Sequence, residues 1–148
     1  MKKLIALISA AVILFSFSAC GKKDYPFTFE EHTVTEGIYN YYKSAVSASP
    51  EDYAASPEDE NSINEAAKRC CKEYLAAIKL MEDEKITLGS EFKRRAAENT
   101  ENIWSMFSDY YNGIGVTKQD ITGVQTHESR LLQLLEHFYG TSGKEPVK

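Results

Sequence analysis

Hydrophobic positions in this chain form one uninterrupted apolar run followed by four stretches with helical spacing. In the first stretch, Ile38, Tyr39, Tyr42 and Val46 recur at steps of three and four. That spacing predicts a helix over Glu36 to Val46 with Thr35 as its N-cap. In the second, Ile63, Ala67, Cys70, Tyr74, Ile78 and Met81 keep the same period behind Ser62-Ile63-Asn64-Glu65, the pattern of a capping box. The third spans Ser90 to Asn112 and turns aromatic in its second half, at Trp104, Phe107, Tyr110 and Tyr111. Gly113 is placed to end it in the left-handed conformation, with Ile114 folding back over the helix end. The fourth opens at Thr117-Lys118-Gln119-Asp120, a cap with an acidic residue at the third helical position. It buries Ile121, Val124, Leu131, Leu135 and Phe138, and Gly140 closes it. Leu131, Leu132, Leu134 and Leu135 cover more than half of its circumference, so either two elements pack on it or one flank serves another purpose. Strand-like alternation is confined to Phe27 and Phe29. The pattern therefore predicts an all-α domain, a small bundle of about four helices. Short connections after the second and third helices favour antiparallel neighbours.

The apolar run, Leu4 to Phe17, follows Lys2-Lys3 and precedes Ser18-Ala19. A basic start, an apolar centre and small residues at the junction are the parts of an export signal. The run is shorter than the roughly 20 residues a membrane-spanning helix needs. Cys20 follows at once, and Phe17-Ser18-Ala19-Cys20 resembles the lipobox of bacterial lipoproteins. The resemblance implies that the Cys20 sulfur is acylated and that cleavage makes Cys20 the mature N-terminus. Such a protein is exported and held on the outer face of the bacterial cell membrane, since several acyl chains suffice for stable anchoring. The expected organisation is a signal peptide over 1–19, a lipidated tether with a short extended segment over 20–34, a helical domain over 35–143 and a tail over 144–148. Within the domain, residues 47–61 are rich in Ser, Pro, Asp and Glu and read as an exposed acidic loop.

Removing residues 1–19 from 148 leaves 129, enough for one domain with a modest core. Lys2 and Lys3 leave with the signal, so 15 basic residues face 22 acidic ones, a net charge of −7. That balance argues against a nucleic-acid surface and against a general anionic-lipid patch. With Cys20 assigned to lipid, only the adjacent pair Cys70-Cys71 is left. Neighbouring cysteines rarely bond to each other because the bridge strains the intervening peptide. Cys70 reads as a small buried hydrophobe.

Catalytic patterns are not found. His127 and His137 lie ten residues apart on one helix, about 15 Å along its axis, and neither belongs to an H-E-x-x-H pattern. A di-iron bundle places Glu three residues before each His, where this chain has Val124 and Leu134. Gly140-Thr141-Ser142-Gly143-Lys144 has two residues between its glycines where a phosphate loop has four, and it follows a helix instead of a strand. Glu58, Asp59 and Glu60 lack the spaced oxygens and central Gly of a calcium loop and read as a solvated acidic face. No metal or cofactor is expected. Trp104, Phe107, Tyr110 and Tyr111 would make an aromatic platform, although core packing is the plainer account of them. Tyr110 and Tyr111 cannot face the same way on a helix, nor can Tyr41 and Tyr42, so some of these rings lie near the surface.

The order of these pieces resembles the N-terminal chaperone domain of SurA/PrsA-type exported foldases. Val34-Thr35-Glu36-Gly37-Ile38-Tyr39-Asn40-Tyr41-Tyr42 is similar to the opening helix of that family, and Ile86-Thr87-Leu88-Gly89-Ser90-Glu91 to the start of its next long helix. Tyr110-Tyr111-Asn112-Gly113-Ile114-Gly115-Val116-Thr117 resembles its "YY-x-x-x-G-I-(S/T)" connection, and Leu135-Glu136-His137-Phe138-Tyr139-Gly140 its closing helix. The similarity runs over most of residues 33–143. Departures are Gly89, where the family has a capping Ser or Thr, and the absence of a "V-N-G" start before Val34. The resemblance implies a fold that cradles unfolded, newly exported polypeptide. It implies no isomerase activity, because no position corresponds to the catalytic residues of the parvulin domain that usually follows. Candidate client-binding residues are Tyr42, Trp104, Phe107, Tyr110, Tyr111 and Leu132. Two other readings fit the same sequence: the front part of a peptidyl-prolyl isomerase, and a structural envelope lipoprotein with one specific protein partner.

Overall fold

A computed structural model describes residues 27–29, 32–140 and 143. The expected signal peptide, Cys20, the start of the tether and the tail over 144–148 lie outside the described residues. The described part is mostly helical, as its spacing predicts. It begins with two short antiparallel strands, β1 (Phe27–Phe29) and β2 (His32–Val34), with Phe27 opposite Val34, Thr28 opposite Thr33 and Phe29 opposite His32. Thr28 and Thr33 bring their hydroxyls to 3.3 Å across the ladder. Val34 is fully buried, so the ribbon ends by plugging the helical core.

Helix α1 (Glu36–Ala48) starts where Thr35 Oγ1 accepts the Ile38 N–H at 3.1 Å. Its buried face is Gly37, Ile38, Tyr39, Tyr42 and Val46, the predicted stripe. A 3₁₀ turn, Pro50–Tyr53, then occupies part of the acidic segment, and the Arg69 guanidinium donates to the Tyr53 carbonyl.

Helix α2 (Glu60–Asp83) starts two residues before the predicted cap. Asp59 takes that role, accepting the Asn61 N–H at 2.9 Å. Nothing in Glu60-Asn61 opposes a helix, so the earlier acceptor captures its start. Ser62 Oγ instead accepts the Ser56 N–H at 2.8 Å and holds the acidic loop against the helix. At its other end, Lys85 adopts a left-handed conformation (φ 56°). The Ile86 N–H reaches Met81 O at 2.7 Å and the Lys85 N–H reaches Glu82 O at 2.9 Å. These two bonds are a Schellman closure built on lysine.

Helix α3 (Ser90–Gly113) lacks a side-chain cap of its own, and α4 (Lys118–Tyr139) supplies the missing partner. Gln133 Oε1 accepts the Gly89 N–H at 2.9 Å while its Nε2 donates to Thr87 O at 3.0 Å. The start of α3 thus meets the end of α4. At the other end, Lys118 pairs with Glu101 at 2.7 Å, so these two helices are antiparallel as predicted. The left-handed residue that ends α3 is Gly115 (φ 74°), not Gly113, which stays helical. Gly115 N–H to Asn112 O at 3.1 Å and Val116 N–H to Tyr111 O at 2.9 Å complete a second Schellman closure. Its outer residue, Val116, is buried.

Two clusters make the core. The first joins Ile38, Tyr42 and Val46 of α1 to Ala67, Cys71 and Tyr74 of α2 and Val124 of α4. Gly123 permits the approach, since a Cβ there would meet the Tyr74 hydroxyl at 3.2 Å and Ile38 Cδ1 at 3.3 Å. The second joins Ala77 and Met81 of α2 to Leu134 and Phe138 of α4, flanked by Ile86, Leu88, Leu131 and Leu135. Early α2 meets early α4 and late α2 meets late α4, so these two helices run in the same direction. The leucine-rich part of α4 is accordingly shared between α2 and α3, and Leu134 is its most buried member. Helix α3 packs chiefly on α4 and buries only Ala96 and Thr100. The expected antiparallel pairing of the second and third helices does not form, because residues 84–89 carry the chain past α2 to the far side of α4.

Candidate functional site

The exposed aromatic end of α3 lies beside α1, and side chains join the two helices. Asn40 Nδ2 donates to Ile114 O at 3.0 Å, and the hydroxyls of Ser44 and Tyr110 are 2.6 Å apart. Tyr41 stacks on Tyr111 with ring centroids 5.8 Å apart and planes 22° apart. Edge contacts extend this stack inward from Tyr41 to Tyr42 (5.6 Å) and outward from Tyr111 to Tyr110 (5.4 Å). Four tyrosines therefore form a continuous path from the core to solvent.

Beside this path is a shallow groove of about 510 Å³. Asn40, Lys43, Ser44, Ser47 and Ala48 form its α1 wall, and Tyr110 and Ile114 form the opposite one. Three residues before Tyr110, at Phe107, the backbone leaves helical geometry (φ −130°, ψ 15°). Met106, Phe107 and Tyr110 are 65%, 51% and 54% exposed. Large apolar groups left in water on consecutive turns mark a surface that gains free energy when covered. At the rim, Lys43 Nζ is 3.2 Å from Glu60 Oε1.

The candidate residues separate into three groups. Of the α3 aromatics, Tyr110 lines the groove and Tyr111 touches its ring, while Phe107 lies exposed one turn earlier and Trp104 half-buried before it. Tyr42 does not join them. It is only 6% exposed, because its position in the α1 stripe points it into the core, and its hydroxyl has no partner. A polypeptide on the surface cannot reach it. Leu132, 41% exposed, is also apart. Its neighbour Gln133 binds the start of α3, about 30 Å along that helix from Tyr110 at 1.5 Å per residue. Sequence reasoning missed Met106, Asn40, Ser44 and Lys43. Met106 carried a readable signal, since it shares a helix face with Tyr110 four residues on.

Burial holds the inner tyrosines of the path neutral. Burial, and then the neighbouring Tyr111, push the Tyr41 phenol up to about 12, and burial also raises Tyr111. Behind the groove, burial and then Arg130 push His127 down to about 3, and its ring lies 5.1 Å from that of Tyr74. Cys70 and Cys71 are free and buried, their thiols pushed up to about 11 and about 12 mainly by desolvation. Asp120 is buried and spends its oxygens on Thr35 and Thr117. The groove thus places the Tyr110 ring and Ile114 beside an α1 wall whose amide and hydroxyl groups are already bonded, Asn40 to Ile114 O, Ser44 to Tyr110 and Ser47 to Lys43 O.

Among the described residues, no group of three or more His, Cys, Asp and Glu is placed to hold a metal ion, and no helix is long and apolar enough to cross a membrane. No protein-family model, curated protein or solved structure matches the chain.

Proposed function

We propose that this chain is an exported, lipid-anchored holder of polypeptides. Cys20 carries the anchor on the outer face of the bacterial membrane, and the groove between α1 and α3 binds unfolded segments of exported chains without chemical turnover. The observation that carries the reading is the run of Met106, Phe107 and Tyr110 left in solvent on a helix that buries only two of its residues. Covering such side chains contributes roughly 25 cal/mol per Å² of apolar surface. Contact of this apolar kind is not directional, so it does not depend on one client sequence. The resemblance of Val34 to Tyr42 and of Tyr110 to Thr117 to SurA/PrsA-type foldases supports the same reading. Residues 20–26 would set the helices at most about 25 Å from the bilayer, where exported chains emerge.

The test is the aggregation of a chemically unfolded client diluted into buffer with the full chain in nanodiscs, beside empty nanodiscs. Delay at stoichiometric ratios is expected, with Cys20→Ser moving the protein from the membrane to the soluble fraction. A client that aggregates as fast as with empty nanodiscs would remove the reading.

A further inference from the structure

Resting on that lipid-anchored, polypeptide-holding reading, we infer that the bilayer itself covers Met106, Phe107 and Tyr110 until a client displaces it. The tether limits what these side chains can reach. Phe27, the first residue described after it, lies opposite Val34, next to Thr35 at the start of α1. From Thr35 to Ser44 the helix rises about 14 Å. There the Ser44 hydroxyl meets that of Tyr110 at 2.6 Å, and Met106 lies one turn away along α3. The exposed side chains thus stand roughly 20 Å from the point where the tether joins the fold. Residues 20–26 span up to about 25 Å, so a bundle anchored through Cys20 can lay this patch on the lipid surface.

Tethering makes the contact intramolecular. A patch too small to hold a vesicle from solution is kept at high effective concentration against the lipid. Its side chains suit the interface, since Met106 and Phe107 are apolar and Tyr110 joins an apolar ring to a polar tip. Neighbouring charges do not favour anionic lipid. Asp109, next to Tyr110, is exposed, and Lys43 is joined to Glu60. Arg95 ends the basic run 93–95 about 16 Å before Met106 along α3. Apolar contact at the headgroup boundary therefore drives the docking. A client covers the same side chains, so client and bilayer exclude one another, and this face leaves the membrane as the protein loads.

The reporter is the indole introduced by Phe107→Trp in a Trp104→Phe background, Trp104 being the one tryptophan of the chain. The full chain is held in phosphatidylcholine nanodiscs, either plain or brominated near the glycerol end of the acyl chains. Bromine is expected to quench the reporter at least twofold, and adding Met106→Ser and Tyr110→Ser to remove most of that quenching. An excess of chemically unfolded client is expected to restore at least half of the lost fluorescence. Circular dichroism checks that each variant keeps its helices. Quenching that survives both serines comes from the tether's proximity alone and overturns the inference. So does quenching that client does not relieve. Fluorescence that ignores bromine but differs between discs carrying one copy and two means that a second copy covers the patch, and overturns it as well. A reporter that neither bromine nor copy number changes overturns bilayer docking and leaves polypeptide holding intact where client aggregation is still delayed. With no such delay, both fall.

Discussion

Gly37 stands so close to Asp120 that a Cβ on it would lie 2.1 Å from Oδ2 of the carboxylate. The approach exists because one carboxylate serves two helix starts. Thr35 Oγ1 donates to Oδ1 at 2.5 Å, and Thr117 donates to Oδ2 from its hydroxyl at 2.6 Å and from its N–H at 2.9 Å. Thr35 and Thr117 are the N-caps of α1 and α4. Asp120 therefore fixes where α1 enters the bundle, and the groove wall with it. In an ordinary helix, Gly→Ala stabilises by about 0.5–1 kcal/mol. At Gly37 the expected sign is reversed, with Gly37→Ala costing about 1–3 kcal/mol through overpacking. Asp120→Ala is expected to cost about 2–4 kcal/mol, since a cap and the partners of two hydroxyls go together. Denaturant unfolding of both variants and of the double variant checks this. In the double variant the two losses should not add, because removing the carboxylate makes the room that a methyl group at position 37 needs.

Tyr42 and Tyr110 separate stability from client contact. Tyr42→Ala removes a core side chain and is expected to cost about 3–5 kcal/mol. Tyr42→Phe removes only a buried hydroxyl without a partner and should leave stability unchanged or raise it by up to about 1 kcal/mol. Phe107→Ser and Tyr110→Ala change exposed rings, so they should cost about 1 kcal/mol or less while weakening client protection. Paired melting and aggregation measurements distinguish the two sets. Loss of protection in Tyr42→Phe but not in Tyr110→Ala would move the client site away from the groove.

The helices were legible because each carries its own period and its own cap. Thr35 and Thr117 cap α1 and α4 as their side chains indicate, and Ile38 to Val46 gives the buried face of α1 directly. Legibility failed where one element supplies what another lacks. Gly89 has no cap to read, because Gln133, 44 positions later, provides it. Lys85 closes α2 in a conformation for which glycine is the usual signal, and the Ile86 contact with the second core cluster outweighs its local cost. The tyrosine pairs announced that some rings face outward without saying which. Only the packing of α1 on α2 decides that Tyr42 goes in and Tyr41 turns to Tyr111.

Lys85 provides a direct measure of that local cost. A side chain in the left-handed region is disfavoured by roughly 1–2 kcal/mol relative to glycine. Lys85→Gly keeps both closing hydrogen bonds and should raise stability by about 1 kcal/mol at the denaturation midpoint, less whatever glycine gains in the unfolded chain. A variant less stable than the parent would mean that the lysine side chain makes a stabilising contact of its own.

Cys70 and Cys71 should be chemically silent in the folded protein. A thiol pushed up to about 11 is about 0.1% thiolate at pH 8, and Cys71 is held higher still. Alkylation by a maleimide, followed by peptide mass mapping, should proceed at least on the order of a hundred-fold slower than for a free cysteine. Denaturant should then release both thiols together. Fast modification of either residue in the native protein would show that α2 opens locally.

His127 makes the bundle sensitive to acid. Burial between α2 and α4 holds it neutral, with protonation deferred to about 3, while in the unfolded chain it titrates near 6.5. Between those values the unfolded state binds the extra proton, so stability rises with pH and is lost as pH falls below about 6.5. The loss is about 1.4 kcal/mol per pH unit, or about 2 kcal/mol by pH 5 from this residue alone. Glu73 and Glu128, whose carboxyls burial pushes up, act with the opposite sign as the pH approaches their range. The quantity to measure is therefore the difference between the parent and His127→Gln, which shares both glutamates. Chemical denaturation at pH 7, 6 and 5 should show the parent losing about 2 kcal/mol more than the variant over that interval. Parallel curves would mean that His127 is solvated or finds a partner for its proton. In that case the unpartnered Nδ1 beside Tyr74 would not be the source of any acid sensitivity the bundle has.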